Sequence, residues 1–180
     1  MAEGWTDPGD PEVLRSWRRG PRWWHVVVAV VDDPRVRRRR ALVADLLGDL
    51  IAPSAPDHPH VTAWVSGSER PRAVPEGKCI GMAIGGADLF PSAAYLAVDS
   101  PGISSVRTTL AAYNPPEDRS TLFIPHLTVG VFRERVPAEM VRSAMAPASD
   151  LPPLWVSGTI THLVVDVMSD DSALRPPPDG

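Results

Sequence analysis

This sequence of 180 residues has one cysteine, no long apolar run and no excess of positive charge, and each of these shortages argues against a class of protein. Its single cysteine, Cys79, cannot form an internal disulfide bond, which is typical of a reducing cytoplasm. The longest apolar run, Val26–Val31, is far shorter than the ~20 residues that a membrane-spanning helix needs. The formal net charge is −4, whereas non-specific nucleic-acid binding normally needs a basic surface. These shortages predict a cytoplasmic protein with no membrane partner and no extended nucleic-acid surface.

Length and composition predict one domain between two terminal segments. Hydrophobic residues make up 43% of the chain, enough for the core of one domain of ordinary size. Residues 1–20 are polar and rich in Gly and Pro, do not resemble a signal peptide, and are interpreted as an N-terminal extension. We expect the domain over residues 21–168, as a monomer, and a disordered tail over residues 169–180.

A seven-residue pattern occurs twice, as PHVTAWV at residues 59–65 and as PHLTVGV at residues 125–131. In a β-strand successive side chains point to opposite faces. The histidine and the threonine of each pattern therefore share one face, and the apolar residue between them faces a core. The two resulting pairs are His60 with Thr62 and His126 with Thr128.

Two such pairs in one cleft would have an evident chemical use. An imidazole has an unperturbed pKa of ~6.5, so at neutral pH one histidine can act as a base and a protonated partner as an acid. Hydroxyls donate hydrogen bonds to anionic oxygens such as those of a phosphate. The combination suits an in-line displacement at phosphorus, with a base on the attacking oxygen and an acid on the leaving oxygen.

The paired His-apolar-Thr-apolar motifs, 66 residues apart, resemble those of the 2H phosphoesterase superfamily, which includes the bacterial 2′-5′ RNA ligase-like proteins and cyclic nucleotide phosphodiesterases. The similarity runs from Trp24 to Met168 and includes a glycine-rich segment, Gly85–Pro91, between the motifs. It implies an α+β fold with two pseudo-symmetric lobes of antiparallel sheet, helices outside and a central cleft. It also implies that His60 and His126 are catalytic.

One departure from the family concerns an arginine. Some members carry it a few residues after the second motif, on the same strand. Here Val131 occupies that position, and Arg133 is the nearest candidate for contact with the substrate phosphate.

The surrounding elements also occur twice in approximate order, as strand, helix, motif strand and strand. Asp32-Asp33-Pro34 predicts the start of a helix that ends near Ile51, and Ser100-Pro101 predicts the start of another. The first helix carries the most basic run of the chain, Arg35 and Arg37–Arg40. We interpret this run as a solvated helix face that pairs with acidic residues further along, rather than as a nucleic-acid patch.

Two residues near the motifs, Trp64 and Phe90, have two open interpretations each, and a histidine spacing there bears on metal binding. Trp64 shares the His60 face if the strand is regular, and it then forms a cleft wall that binds substrate or closes the core edge. Phe90 either stacks on a nucleobase or plugs the core beside the Gly85–Pro91 turn. His58 and His60 have a spacing that can chelate zinc, but no nearby carboxylate or cysteine completes a ligand set, so we predict no metal and no cofactor.

The leading hypothesis is a metal-independent phosphoesterase acting on a nucleotide or an RNA-end phosphodiester, for which we favour a 2′,3′-cyclic phosphate. The threonines would hold the phosphate, with Trp64, Phe90 and Arg133 as further substrate-binding candidates. The alternative is a non-catalytic protein that binds the same ligand on the same fold. A third interpretation is that both motifs are structural, with each histidine and threonine satisfying the other at a sheet edge.

Overall fold

The computed structural model describes residues 4–9, 22–53, 59–117, 122–166 and 173–178. Within these ranges the chain forms three α-helices, one short 3₁₀-helix and eight β-strands. In chain order the elements are β1 (Trp23–Val30), α1 (Pro34–Leu47), the 3₁₀-helix (Gly48–Leu50), β2 (Ile51–Pro53), β3 (His60–Gly67), β4 (Cys79–Leu89), β5 (Ala93–Asp99), α2 (Pro101–Tyr113), β6 (His126–Phe132), α3 (Ala138–Ser149), β7 (Leu154–Asp166) and β8 (Leu174–Arg175).

The strands form one open antiparallel sheet with the order β2-β6-β5-β4-β7-β1-β3, and β8 pairs with β7. One half of the sheet holds β1, β3 and β7, and the other holds β4, β5, β6 and β2. Pairing between β4 and β7 joins the halves. The predicted α+β fold class is confirmed, and its two lobes are the two halves of this continuous sheet.

The helices are exchanged between the two halves. Helix α1 precedes the motif strand β3 in the chain but packs on β6 and β2, and α2 precedes β6 but packs on β3 as well as on β4. Buried residues of both halves and of all three helices form a single hydrophobic cluster. The halves therefore cannot separate without opening a shared core. No helix in the described ranges has the length and apolar character needed to cross a membrane.

Helix α1 begins as predicted, because the side chain of Asp33 accepts a hydrogen bond from the backbone N–H of Arg35 and Pro34 is the first helical residue. It ends earlier than predicted. Gly48 adopts a φ of 50°, which a glycine tolerates and which terminates α1 after Leu47.

The prediction that the basic run forms a solvated face is wrong for two of its arginines. Arg39 is buried, and Arg40 is partly buried. Both lie on the same side of α1 as Val36 and Val43, because residues three and four positions apart share a helix face. The guanidinium of Arg39 donates to backbone carbonyls of Ile84, Gly85 and Pro152. Two further arginines of the run form ion pairs closer to the helix start, Arg35 with Asp33 and Arg37 with Asp32.

The predicted turn over Gly85–Pro91 is shorter than expected. Strand β4 continues through the glycines to Leu89, with a register shift between Ile84 and Ala87 where it pairs with β5. A Cβ atom on Gly86 would lie 1.8 Å from the carbonyl oxygen of Ser149, at the end of α3. Gly86 therefore allows close approach of α3 to the sheet rather than a turn.

Both terminal segments contribute ordered contacts in their described parts. The side chain of Thr6 is fully buried and accepts a hydrogen bond from the backbone N–H of Val136. Within the segment predicted as the tail, Leu174–Arg175 pairs with Val164 and Val165 as β8. Much of the predicted N-terminal extension and most of the predicted tail lie outside the described residues.

Candidate active site

Each motif begins a strand, and the two strands present their motifs in the same way. The histidine and the threonine of each motif are partly exposed, whereas their apolar neighbours belong to the core under the helices. Because side chains alternate along a strand, both His–Thr pairs point to the sheet face that lies opposite this core. The buried neighbours are Val61 and Ala63 on β3, and Leu127 and Val129 on β6.

The two motif strands approach each other across the opening of the sheet. Cα atoms of β3 and β6 lie within 8 Å of one another. Strand β3 pairs only with β1 among the described strands, and β2 covers β6 only over Gly130–Phe132. The motif segments therefore lie on sheet edges that face each other, as expected for pairs that act on one ligand.

A β-bulge follows the threonine in both motifs. On β3, Thr62 pairs with Val28 and Trp64 pairs with Val27, which leaves Ala63 as the extra residue. On β6, Thr128 pairs with Tyr95 and Gly130 pairs with Ala94, which leaves Val129 as the extra residue. Bulges redirect the side chains that follow them and are enriched beside active sites. The repeat in the sequence thus corresponds to a repeat in backbone geometry.

The bulge on β3 decides between the two interpretations of Trp64. It turns the tryptophan from the His60 face to the opposite face, where Trp64 is 4% exposed and belongs to the core. Its indole N–H is buried, with no hydrogen-bond acceptor in the described part of the chain. Trp64 therefore closes the core edge, and the condition for a cleft wall, a regular strand, is not met.

His126 has a fixed ring orientation. Its Nδ1 lies 2.8 Å from the backbone oxygen of Ile124. A carbonyl oxygen can only accept a hydrogen bond, so Nδ1 carries the proton. This leaves Nε2 as the ring nitrogen that can accept a proton.

Phe90 and Tyr95 form an aromatic wall beside the His126 imidazole. The Phe90 ring meets the His126 ring edge-on, with centroids 4.8 Å apart, and stacks on Tyr95 at 4.2 Å. The ring centroids of Tyr95 and His126 are 5.6 Å apart, and the Tyr95 hydroxyl donates a hydrogen bond to Asp88 at 3.2 Å. Burial and the neighbouring Asp88 carboxylate raise the pKa of Tyr95 to about 12, so this hydroxyl stays protonated. Phe90 thus contacts both a wall residue and the motif histidine.

Sequence reasoning did not identify Tyr95 as part of the site. Its position within a predicted strand was clear, but its face was not. Tyr95 joins the His126 wall because β5 pairs with β6 in a register that sets Tyr95 opposite Thr128. Only the pairing of strands supplies that register.

The structure does not bring Arg133 to the motif pairs. It follows the last residue of β6, and seven residues separate it from His126, or roughly 23 Å along an extended strand. Its Nε donates to the backbone oxygen of Ile51 at 3.0 Å, and its backbone N–H donates to Leu50. Arg133 therefore anchors the far end of β6.

A second pair of histidines lies elsewhere in the sheet. Nδ1 of His25 and Nε2 of His162 are 2.9 Å apart, so one ring donates a hydrogen bond to the other. His25 pairs with Gly67 on β3, whereas Val30 pairs with His60, which separates His25 from the motif by roughly 17 Å along β1. Burial lowers the pKa of both rings, that of His162 to about 4.

Within the described ranges, no group of three or more His, Cys, Asp or Glu side chains could hold a metal ion. Of the two histidines whose spacing could chelate zinc, His60 lies on β3 and His58 lies outside the described residues.

The solved structures that resemble this one include the following two. The chain superposes on a structure described as a phosphoesterase with a TM-score of 0.51 and 14% identity, over 88% of this chain and 96% of the other. The fold is that of a solved phosphoesterase. The second, the protein TT0787 of Thermus thermophilus, has a TM-score of 0.46 and 18% identity over 78% of this chain and 87% of its own. No family model and no curated protein sequence matches the chain.

Proposed function

We propose that this protein is a metal-independent phosphoesterase of the 2H type that hydrolyses a nucleotide or RNA-end phosphodiester, and we favour a 2′,3′-cyclic phosphate. The observation that carries the proposal is the repeated geometry of the motifs. Two His–Thr pairs lie on the same sheet face, on facing strand edges, and each is followed by a bulge. Duplication alone would repeat the motif, but it does not require the two copies to lie on strands that approach each other. The shared fold with a solved phosphoesterase supports the same class of reaction.

The proposed reaction is an in-line attack of water on phosphorus. One imidazole accepts a proton from the water as the new P–O bond forms, and the other, protonated, donates its proton to the leaving ribose oxygen as the old bond breaks. Nε2 of His126 would take one of these roles, because Nδ1 of this ring is committed to the Ile124 oxygen. The hydroxyls of Thr62 and Thr128 would donate to the non-bridging oxygens. Ring strain in a cyclic phosphate helps to expel the leaving oxygen.

The wall beside His126 suits a ligand with an aromatic base. Phe90 is partly exposed next to the imidazole, and Tyr95 supports it from behind. Base–aromatic stacking contributes ~1–3 kcal/mol and tolerates any base. The net charge of −4 disfavours a long nucleic acid, so a mononucleotide or a short RNA end is the expected substrate.

The direct test is incubation of the purified protein with a nucleoside 2′,3′-cyclic phosphate in the presence of EDTA. We expect turnover that EDTA does not reduce, a bell-shaped dependence of kcat/KM on pH, and a single nucleoside monophosphate isomer as product. The matched control is the His126→Ala variant prepared in parallel. Activity that EDTA abolishes and zinc or manganese restores would contradict a two-histidine mechanism.

The alternative function is a protein that binds the same ligand without converting it. The position of Arg133, at the far end of β6 from His126 and bonded to Ile51, is the observation that favours it, because the phosphate then lacks the arginine contact that Arg133 was expected to provide. Saturable binding of the cyclic nucleotide by calorimetry, without any product after prolonged incubation, would establish this alternative.

A further inference from the structure

Two arginines occupy equivalent positions on the exchanged helices. Asp33 caps α1 and Ser100 caps α2, and each cap is followed by a proline at the first helical position. Arg40 and Arg107 each follow their cap by seven residues. The internal duplication therefore extends to an arginine at the same position of both helices.

Arg107 reaches the bulge of the first motif strand. Its Nη1 donates to the backbone oxygen of the bulge residue, Ala63, at 2.6 Å, and its Nη2 donates to Glu117 at 2.6 Å. The other carboxylate oxygen of Glu117 accepts from the backbone N–H of Val65 at 2.7 Å. Arg107 and Glu117 together satisfy two backbone groups on the β3 edge, as a neighbouring strand would.

The same guanidinium also contacts the segment that leads into the second motif. Arg107 lies over the Phe123 ring at 3.8 Å, and the next residue, Ile124, provides the oxygen that fixes the His126 ring. The ion pair is well shielded, since the side chains of Arg107 and Glu117 are 21% and 9% exposed. Shielded contacts of this kind hold geometry better than exposed ion pairs do.

Arg40 makes the corresponding contact in the other half. Its Nε donates to the backbone oxygen of Thr128 at 3.1 Å, directly before the bulge residue Val129. Arg40 is partly buried, and burial lowers its pKa. Burying a guanidinium is unfavourable unless its donors are satisfied, and a methionine would fill the same helix face. The presence of arginine at this position indicates a need for the hydrogen bond.

We infer that Arg40 and Arg107 are positioning residues, each of which holds the motif strand of the opposite half at its bulge and so aligns the two His–Thr pairs. This inference rests on the proposed function, because alignment matters when both pairs act on one ligand. Catalytic groups displaced by about 1 Å can lose ~100-fold in rate. A bulge is the point at which a strand edge most readily adopts another geometry, and the arginines fix it.

The test compares Arg40→Met and Arg107→Met with Arg38→Met, an exposed arginine on α1. Methionine keeps most of the apolar stem and removes the donors. We expect kcat for the cyclic nucleotide to fall roughly 10- to 100-fold in the first two variants, with KM little changed, and to be unaffected in the control. Lysine at the same positions retains a charge and a donor, and should recover part of kcat.

A second readout does not depend on activity. In ¹H–¹⁵N spectra of the imidazoles, Arg40→Met should shift the ring signals of His126, and Arg107→Met those of His60, while the signals of His25 and His162 stay in place. Folding of each variant is checked by circular dichroism, and the lysine variants replace any methionine variant that does not fold. Folded variants with wild-type kcat and unshifted His60 and His126 signals would overturn the inference. If the wild-type protein shows no turnover, the proposed function fails, and the imidazole spectra alone decide whether the arginines position the motifs.

Discussion

Two pairs of histidines lie in the described part of the chain, and their surroundings differ in the respects that matter for chemistry. His25 and His162 are hydrogen-bonded to each other, and burial keeps their pKa values low, so both stay neutral at physiological pH. His60 and His126 are partly exposed at strand edges, each beside a threonine. A buried, neutral imidazole can serve the packing of a sheet, whereas a partly exposed one is accessible for proton exchange, the role that we propose for His60 and His126. The residue type alone therefore does not distinguish a histidine that packs in the sheet from one that is accessible at its edge.

The largest expected effect is on activity, from replacement of either motif histidine. His60→Ala and His126→Ala each remove a proton-transfer group, so kcat should fall roughly 100-fold or more, and the double variant should fall less than the product of the two. Steady-state kinetics with a cyclic nucleotide measure this. The matched control is His25→Ala, which should keep the wild-type kcat. Comparable losses of kcat in folded His25 and His126 variants would remove the distinction between the two pairs.

A smaller loss is expected for the motif threonines. Thr62→Val and Thr128→Val preserve shape but remove a hydrogen bond to a charged oxygen, which typically contributes ~1.5–3 kcal/mol, so kcat/KM should fall roughly 10- to 150-fold. The exposed Thr109→Val on α2 is the control, since its hydroxyl bonds to its own helix. Wild-type kcat/KM in both motif variants would show that the hydroxyls do not hold the substrate.

A still smaller effect is expected at the aromatic wall. Edge-on aromatic contacts contribute ~0.5–1.5 kcal/mol beyond burial, so Phe90→Leu should reduce kcat/KM roughly 2- to 10-fold by loosening the His126 ring. Comparison of a cyclic nucleotide with a cyclic phosphate that lacks a base distinguishes two roles of Phe90. A loss confined to the nucleotide indicates base stacking, and an equal loss with both indicates support of the imidazole.

The second histidine pair should affect stability and leave kcat unchanged. Because burial lowers the pKa of His162 to about 4, the unfolded chain, with a pKa of ~6.5, binds more protons between these values. The contribution of His162 to the free energy of unfolding should therefore decrease as pH falls from about 6.5 to about 4, and change no further below that. Urea denaturation across this range should show a weaker decrease for His162→Gln, which cannot titrate. Equal pH dependence in the two proteins would contradict the assignment of this effect to His162.

Much of this molecule could be predicted from local sequence. The alternation of His-x-Thr puts each histidine and threonine on one face, and Asp33-Pro34 and Ser100-Pro101 start their helices, because strand alternation and helix capping depend only on neighbouring residues. The burial of Arg40 also had a local signal, its spacing from Val36 and Val43, which the charge of the run obscured.

Other features depend on partners that the sequence does not name. A bulge exists only relative to a second strand, so the turn of Trp64 into the core followed from pairing with β1. Tyr95 lies beside His126 because of the register in which β5 pairs with β6. Arg133 lies far from His126 because most of the length of β6 separates the two residues. The exchange of α1 and α2 between the halves is likewise a matter of packing, because each helix buries its apolar face on whichever strands the shared core presents. The sequence determined which side chains share a face where strands and helices are regular, because alternation is local. The tertiary structure decided where the strands bulge and which faces meet, because both depend on a second element.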